Sequence, residues 1–264
     1  MSNQNNDKFN LLIKQHELTQ KVASDLKNVL EKCEIVLLCD DSSSMNAQIS
    51  EEGADPFAQK KSTRWFELKK LTAALIEIIT AVNTDGLDLY FLNRSTQKNV
   101  NSLTGLSNIF SIEPNGDTRI TSKLNQIYKE KYTGKQLLIV VITDGEPNDG
   151  TSRARSNLFY AIQNITSNGN VHVSFAECTD QEEDMEYLDG WDNKLQNFDN
   201  TDDYREELRR VKQKNGQNFK FDYTDYVIKI LLATFIKSYF NIDQINGNQT
   251  NNNNNNYDGC CNVL

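Results

Sequence analysis

The 264-residue chain is poor in proline (three) and histidine (two) and carries no surplus of basic charge. With only His16 and His172 present, and neither beside the polar loops described below, histidine-based acid–base catalysis has no material to work with. The 37 acidic residues outnumber the 28 Lys and Arg, for a net charge of -9, which argues against nucleic-acid binding through phosphate neutralisation. Cysteines stand at 33, 39, 178, 260 and 261, an odd number with no disulfide framework, and fit a reducing, cytosolic compartment. A spanning helix needs roughly 18 to 20 apolar residues, and the most apolar late stretch, "YVIKILLATFIKSYF", is broken by Lys229 and Lys237. It reads as a core helix. The start, "MSNQNNDKFN", lacks both a basic-then-apolar leader and a glycine after Met, so neither secretion nor myristoylation is expected.

With prolines only at 56, 114 and 147, punctuation falls to Gly, Asn and Asp. Residues 7–33 space Phe9, Leu12, Leu18, Val22, Leu26, Val29 and Leu30 as an amphipathic helix preceding the first strand, packed on the side of the domain. Alternation follows. "EIVLLC" (34–39) is a short continuous apolar run, the pattern of a strand buried on both faces. The stretch 64–83 is helical by period, 87–93 a strand, 121–132 a helix, 135–145 the strongest buried strand, 152–169 a helix and 171–178 a strand. Such alternation predicts an α/β fold with a doubly wound, mostly parallel central sheet flanked by helices. Beyond 181 the chain is acid-rich, with a helix and turn over "DMEYLDGWDNKL", a solvated helix over "DDYREELRRVKQ" and a final helix over "FKFDYTDYVIKILLATFIKSYF". The organisation is an extension at 1–32, a domain at 33–240 and an Asn-rich tether at 241–264.

In doubly wound sheets ligands collect at the carboxyl ends of the strands. Two oxygen-rich loops fall there, "DDSSS" (40–44) after the first buried strand and "TDGEPND" (143–149) after the second. Asp40, Ser42 and Ser44 alternate, so one side of the first loop offers a carboxylate and two hydroxyls. Asp144 ends the second strand, and between them "NGDTRI" offers Thr118 at a glycine-bearing turn before a helix. Hard oxygen donors without imidazole or thiol suit Mg²⁺, Mn²⁺ or Ca²⁺, and Mg²⁺ in particular keeps waters and takes few protein ligands. Taken alone, the Ser/Asp loop would read as a helix cap; the second and third loops favour a metal.

This pattern resembles the von Willebrand factor type A domain, the I domain of integrins, with its metal-ion-dependent adhesion site. The family's Asp-x-Ser-x-Ser, later Thr and still later Asp match Asp40-Asp41-Ser42-Ser43-Ser44, Thr118 and Asp144, in order, within roughly residues 33–240. The resemblance implies that Ser42, Ser44 and Thr118 contact Mg²⁺ or Mn²⁺ directly, with Asp40 and Asp144 bound directly or through water. One coordination position is then left for an acidic residue of a partner protein. Ser43 stands where the family often has Gly, Asp41 is expected to point outward, and 46–63 makes a long, charged loop. On this reading the metal is a binding device and the protein is not an enzyme.

"CNVL" places Cys261 four residues from the end, which fits C-a-a-X prenylation, with a terminal Leu selecting geranylgeranyl; Asn262 departs from the aliphatic preference. A single lipid anchors reversibly and no Lys or Arg follows Lys237, so palmitoylation of Cys260 is the expected second signal. As a flexible coil of about 17 residues the Asn-rich tract would reach roughly 20 to 25 Å. The expected protein is a binding module on the cytoplasmic face of a membrane.

Two other classes compete with this one. A small GTPase would need Gly-x-x-x-x-Gly-Lys-[Ser/Thr], which is absent. An aspartyl phosphatase of the haloacid dehalogenase type would use Asp40, but its general acid belongs two residues on, where Ser42 stands.

Overall fold

The two continuous apolar runs form the centre of the sheet. In the computed structural model, which describes residues 3–49, 62–83, 85–102, 104, 106–188 and 190–244, Cys33–Cys39 (β1) pairs in parallel with Gln136–Thr143 (β4), from Cys33 opposite Gln136 to Cys39 opposite Ile142. Leu87–Phe91 (β2) lies parallel on the far side of β1, and Val171–Glu177 (β5) parallel on the far side of β4. Two short strands complete the edges: Gln97–Val100 (β3), antiparallel to β2, and Phe198–Thr201 (β6), parallel to β5. The order is β3-β2-β1-β4-β5-β6.

Successive strand residues point to opposite faces, and the two faces build two separate cores. Ile35, Leu37 and Cys39 join Leu138, Val140 and Ile142 beneath Arg64–Val82 (α3) and Tyr223–Leu232 (α9). Val36, Leu38, Ile139 and Val141 meet Ile120–Lys131 (α5) and Ala154–Thr166 (α6) through Leu124, Ile127, Leu158 and Ile162. Each fully buried Leu or Ile is worth about 1.5–3 kcal/mol, so packing on both faces rather than strand propensity holds the centre. This is the α/β, doubly wound, mostly parallel sheet that the alternation predicts.

The N-terminal segment differs from its reading as one helix. Asn3–Gln15 (α1) and Gln20–Leu30 (α2) are separate, because Glu17 adopts a left-handed φ of 49° and the Thr19 hydroxyl accepts from the Val22 N–H, starting a new helix. Leu12, Val22, Leu26 and Leu30 pack into the same core as α3 and α9. The final helix is likewise divided, into α9 and Lys237–Phe240 (α10). Leu106–Phe110 (α4) and Glu182–Met185 (α7) are single turns.

Tyr204–Asn215 (α8), expected to be solvated, buries Glu207 and Val211 completely. Its reason lies on α9, where the ammonium of Lys229, 1% exposed, is 3.1 Å from Glu207 and 3.4 Å from Asp243. A buried ammonium needs acceptors close by, and these two carboxyl groups supply them, so the lysine that interrupts the apolar run sits inside the fold. Among the described residues no helix is long and apolar enough to cross a membrane.

Chain connections leave β1 and β4 toward opposite edges, so the crevice at their carboxyl ends is the topological switch point.

Candidate metal centre

Asp40 follows β1 and Asp144 follows β4, on adjacent parallel strands, so the sheet register alone brings the two loops together. The Asp40 N–H donates to the Ile142 carbonyl at 2.9 Å, extending the ladder to the site's edge. After Asp40 the chain turns. The Ser42 N–H donates to Asp40 Oδ1 at 2.8 Å, and Ser43–Asn46 forms one 3₁₀ turn. The Ser42 and Ser44 hydroxyls lie 3.0 Å apart, and Ser44 Oγ donates to Asp144 Oδ1 at 2.9 Å. The second oxygen of Asp40 accepts from Thr143 Oγ1 at 2.6 Å.

Thr118 stands two residues before α5, on a third loop bonded to both others. The Asn115 N–H donates to the Asp41 carbonyl at 2.9 Å, the Ser43 N–H to the Gly116 carbonyl at 3.1 Å, and the Gly116 N–H back to Ser43 Oγ at 3.1 Å. On the other side the Thr118 carbonyl accepts from the Asn148 N–H at 2.8 Å. Ser43 thus uses its hydroxyl to bind the Thr118 loop. Gly116 has φ +123°, and a Cβ there would lie 2.3 Å from Asn93 Oδ1, so this turn requires glycine.

Asp41 does not point outward. It is fully buried, accepting from the Asn93 N–H at 2.8 Å and facing Arg94 Nε at 3.2 Å. Burial raises its pKa, and the Asn93 bond and Arg94 work against that rise. Arg94 also donates to the Ile109, Ile112 and Glu113 carbonyls and lies over the Trp65 ring at 4.9 Å. The second carboxylate of the signature is therefore a structural peg under the Thr118 loop.

Sequence reasoning missed Arg64. At the first position of α3 it is 8% exposed; Nη1 donates to Asp144 Oδ2 at 2.9 Å and Nη2 to Asp184 Oδ2 at 2.8 Å. Burial works against its charge, but the two carboxylates more than offset that and its pKa is raised. One signal was available: a cation in the first turn of a helix opposes the helix dipole and calls for an anion nearby.

Asp40 is pushed up to about 6, first by burial and then by the charge of Asp144, with the bonds from Thr143 and Ser42 opposing. Two buried carboxylates that repel each other, joined by a chain of hydroxyls, fit a hard divalent cation, which would relieve the repulsion and accept hydroxyl lone pairs. Ser42, Ser44 and Thr118 would hold it with Asp40 and Asp144, and it would supply a positive centre for an anionic group. Cys39, the nearest thiol in sequence, is pushed up to about 12 by burial and faces Thr72, so it belongs to the core. His16 contacts Thr224 and Glu77, and His172 stacks on Phe235, both away from these loops.

No protein-family model and no curated protein matches the chain. Residues 50–61 of the long charged loop, and Cys260 and Cys261 with most of the 241–264 tether, lie outside the described residues.

Proposed function

We propose that the protein is a non-enzymatic, divalent-metal-dependent protein-binding module of the von Willebrand factor type A kind, tethered to the cytoplasmic face of a membrane by C-terminal lipidation. The observation that carries this reading is the linked donor set Ser42–Ser44–Asp144, with Asp40 beside it, at the switch point of a doubly wound sheet. Mg²⁺ or Mn²⁺ is the ion suited to these oxygens. A partner protein presenting a single Asp or Glu to such a centre makes a charge-assisted, desolvated contact of the kind that dominates small interfaces.

Membrane attachment rests on Cys261 as the prenylated residue and Cys260 as the palmitoylated one. The competing aspartyl phosphatase reading would use Asp40, whose two oxygens accept from the Ser42 N–H and Thr143 Oγ1, with Ser42 standing where that reading needs a general acid.

The test is capture of partners by the full chain in Mg²⁺ with and without chelator. Chelator-sensitive capture, lost in S42A/S44A, is expected. Capture that ignores both chelator and the double substitution would leave the metal without a role in binding. Turnover of an aryl phosphate that Asp40→Asn abolishes would instead establish the phosphatase.

A further inference from the structure

We infer that Arg64 is a resident counter-cation that competes with the divalent ion for Asp144 and turns to Asp184 when the site is loaded. The inference rests on the metal reading above. Both Asp144 oxygens are already taken, Oδ1 by Ser44 and Oδ2 by Arg64, while Asp144 itself is completely buried. A buried carboxylate beside Asp40 needs a positive neighbour, and the guanidinium supplies one. The same guanidinium places a unit charge beside the cation's seat, where it repels an incoming ion.

Asp184 makes this arrangement reversible. It sits on α7, outside the metal loops, with its side chain 42% exposed, and it holds the other arm of the same fork. When Asp144 turns its charge to a metal, Arg64 keeps a carboxylate partner and is not left buried and unpaired. Planar, bidentate geometry allows this sharing; a lysine has the charge without the fork. Two acids on different loops therefore divide one arginine, and the division links metal loading to the segment following β5.

Mg²⁺ and Mn²⁺ titrations of the full chain by calorimetry test the inference, with thermal unfolding in chelator as the control for folding. R64Q should bind at least about tenfold tighter than wild type, since the competing charge is gone. R64K, which keeps the charge and loses the fork, should bind no tighter than wild type. D184N should bind several-fold weaker, and the R64Q/D184N double variant should match R64Q, because on this inference Asp184 reaches the metal site through Arg64. Folded R64Q binding no tighter than wild type overturns the inference. If R64Q does not fold, D184N decides: affinity equal to or above wild type overturns it. Absence of saturable binding by wild type would sink the metal reading and this inference together.

Discussion

The Ser44 hydroxyl donates to the Asp144 carboxylate across 2.9 Å, joining residues a hundred positions apart. Nothing local makes that contact. It exists because β1 and β4 pair in parallel and end together, and both the candidate site and its weak points follow from that register.

Asp41 and Arg94 are the first weak point. Asp41→Ala leaves Arg94 without its carboxylate beneath the Thr118 loop and should cost roughly 3 kcal/mol, in the range for breaking a buried pair. Urea unfolding of the two proteins measures it. A loss under about 0.5 kcal/mol, typical of a surface substitution, would mean the pair carries no structural weight.

Gly116→Ala probes the Thr118 loop. The added Cβ meets the Asn93 side chain and the positive φ strains any L-residue, so stability should fall by about 2 kcal/mol and metal affinity with it. Wild-type affinity in a destabilised G116A protein would separate the Thr118 loop from the site.

A pH prediction comes from Glu207 on α8, outside the metal loops. Burial pushes it up to about 8; Lys229 pulls it down, and Asp243 and Asp202 push it up. An acid whose folded pKa exceeds its unfolded value holds its proton more tightly when folded, so its contribution is full at low pH and lost as pH rises through the folded pKa. Asp40, Asp199 and Asp202 are each pushed up to about 6 and act lower. Between about pH 6.5 and about pH 8 wild-type stability should therefore decline, and Glu207→Gln should flatten that slope. Parallel slopes in melting temperature for the two proteins would contradict the assignment.

The proposed lipid anchor is tested by fractionation. Cys261→Ser should move the protein from membrane to soluble fractions, and Cys260→Ser should loosen attachment less completely. Persistent membrane association of Cys261→Ser excludes prenylation as the anchor.

Much of the fold is legible in the sequence because burial on both faces writes itself as uninterrupted apolar runs, as in β1 and β4. The edge strands are not: "QKNV" and "FDNT" are four residues each, polar, and held by partners rather than by their own pattern. Asp40, Ser42, Ser44 and Asp144 could be grouped from spacing because strand ends in a parallel sheet share one edge. Side chains whose meaning depends on a distant counter-charge could not. Asp41 reads as exposed until Arg94 is seen beneath it, Glu207 reads as a solvated helix residue until Lys229 is seen, and Arg64 reads as a helix start until Asp144 and Asp184 are seen. Period and spacing report which face is buried, not which charge waits there.

The central claim is that Asp40, Ser42, Ser44, Thr118 and Asp144 hold a divalent ion. Calorimetric titration of the full chain with Mg²⁺ and Mn²⁺, beside S42A/S44A, tests it most directly. The account predicts saturable binding of one ion per chain, weakened at least about tenfold in a double variant that melts as wild type does. No saturable binding, or binding unchanged by the loss of both hydroxyls, would contradict it.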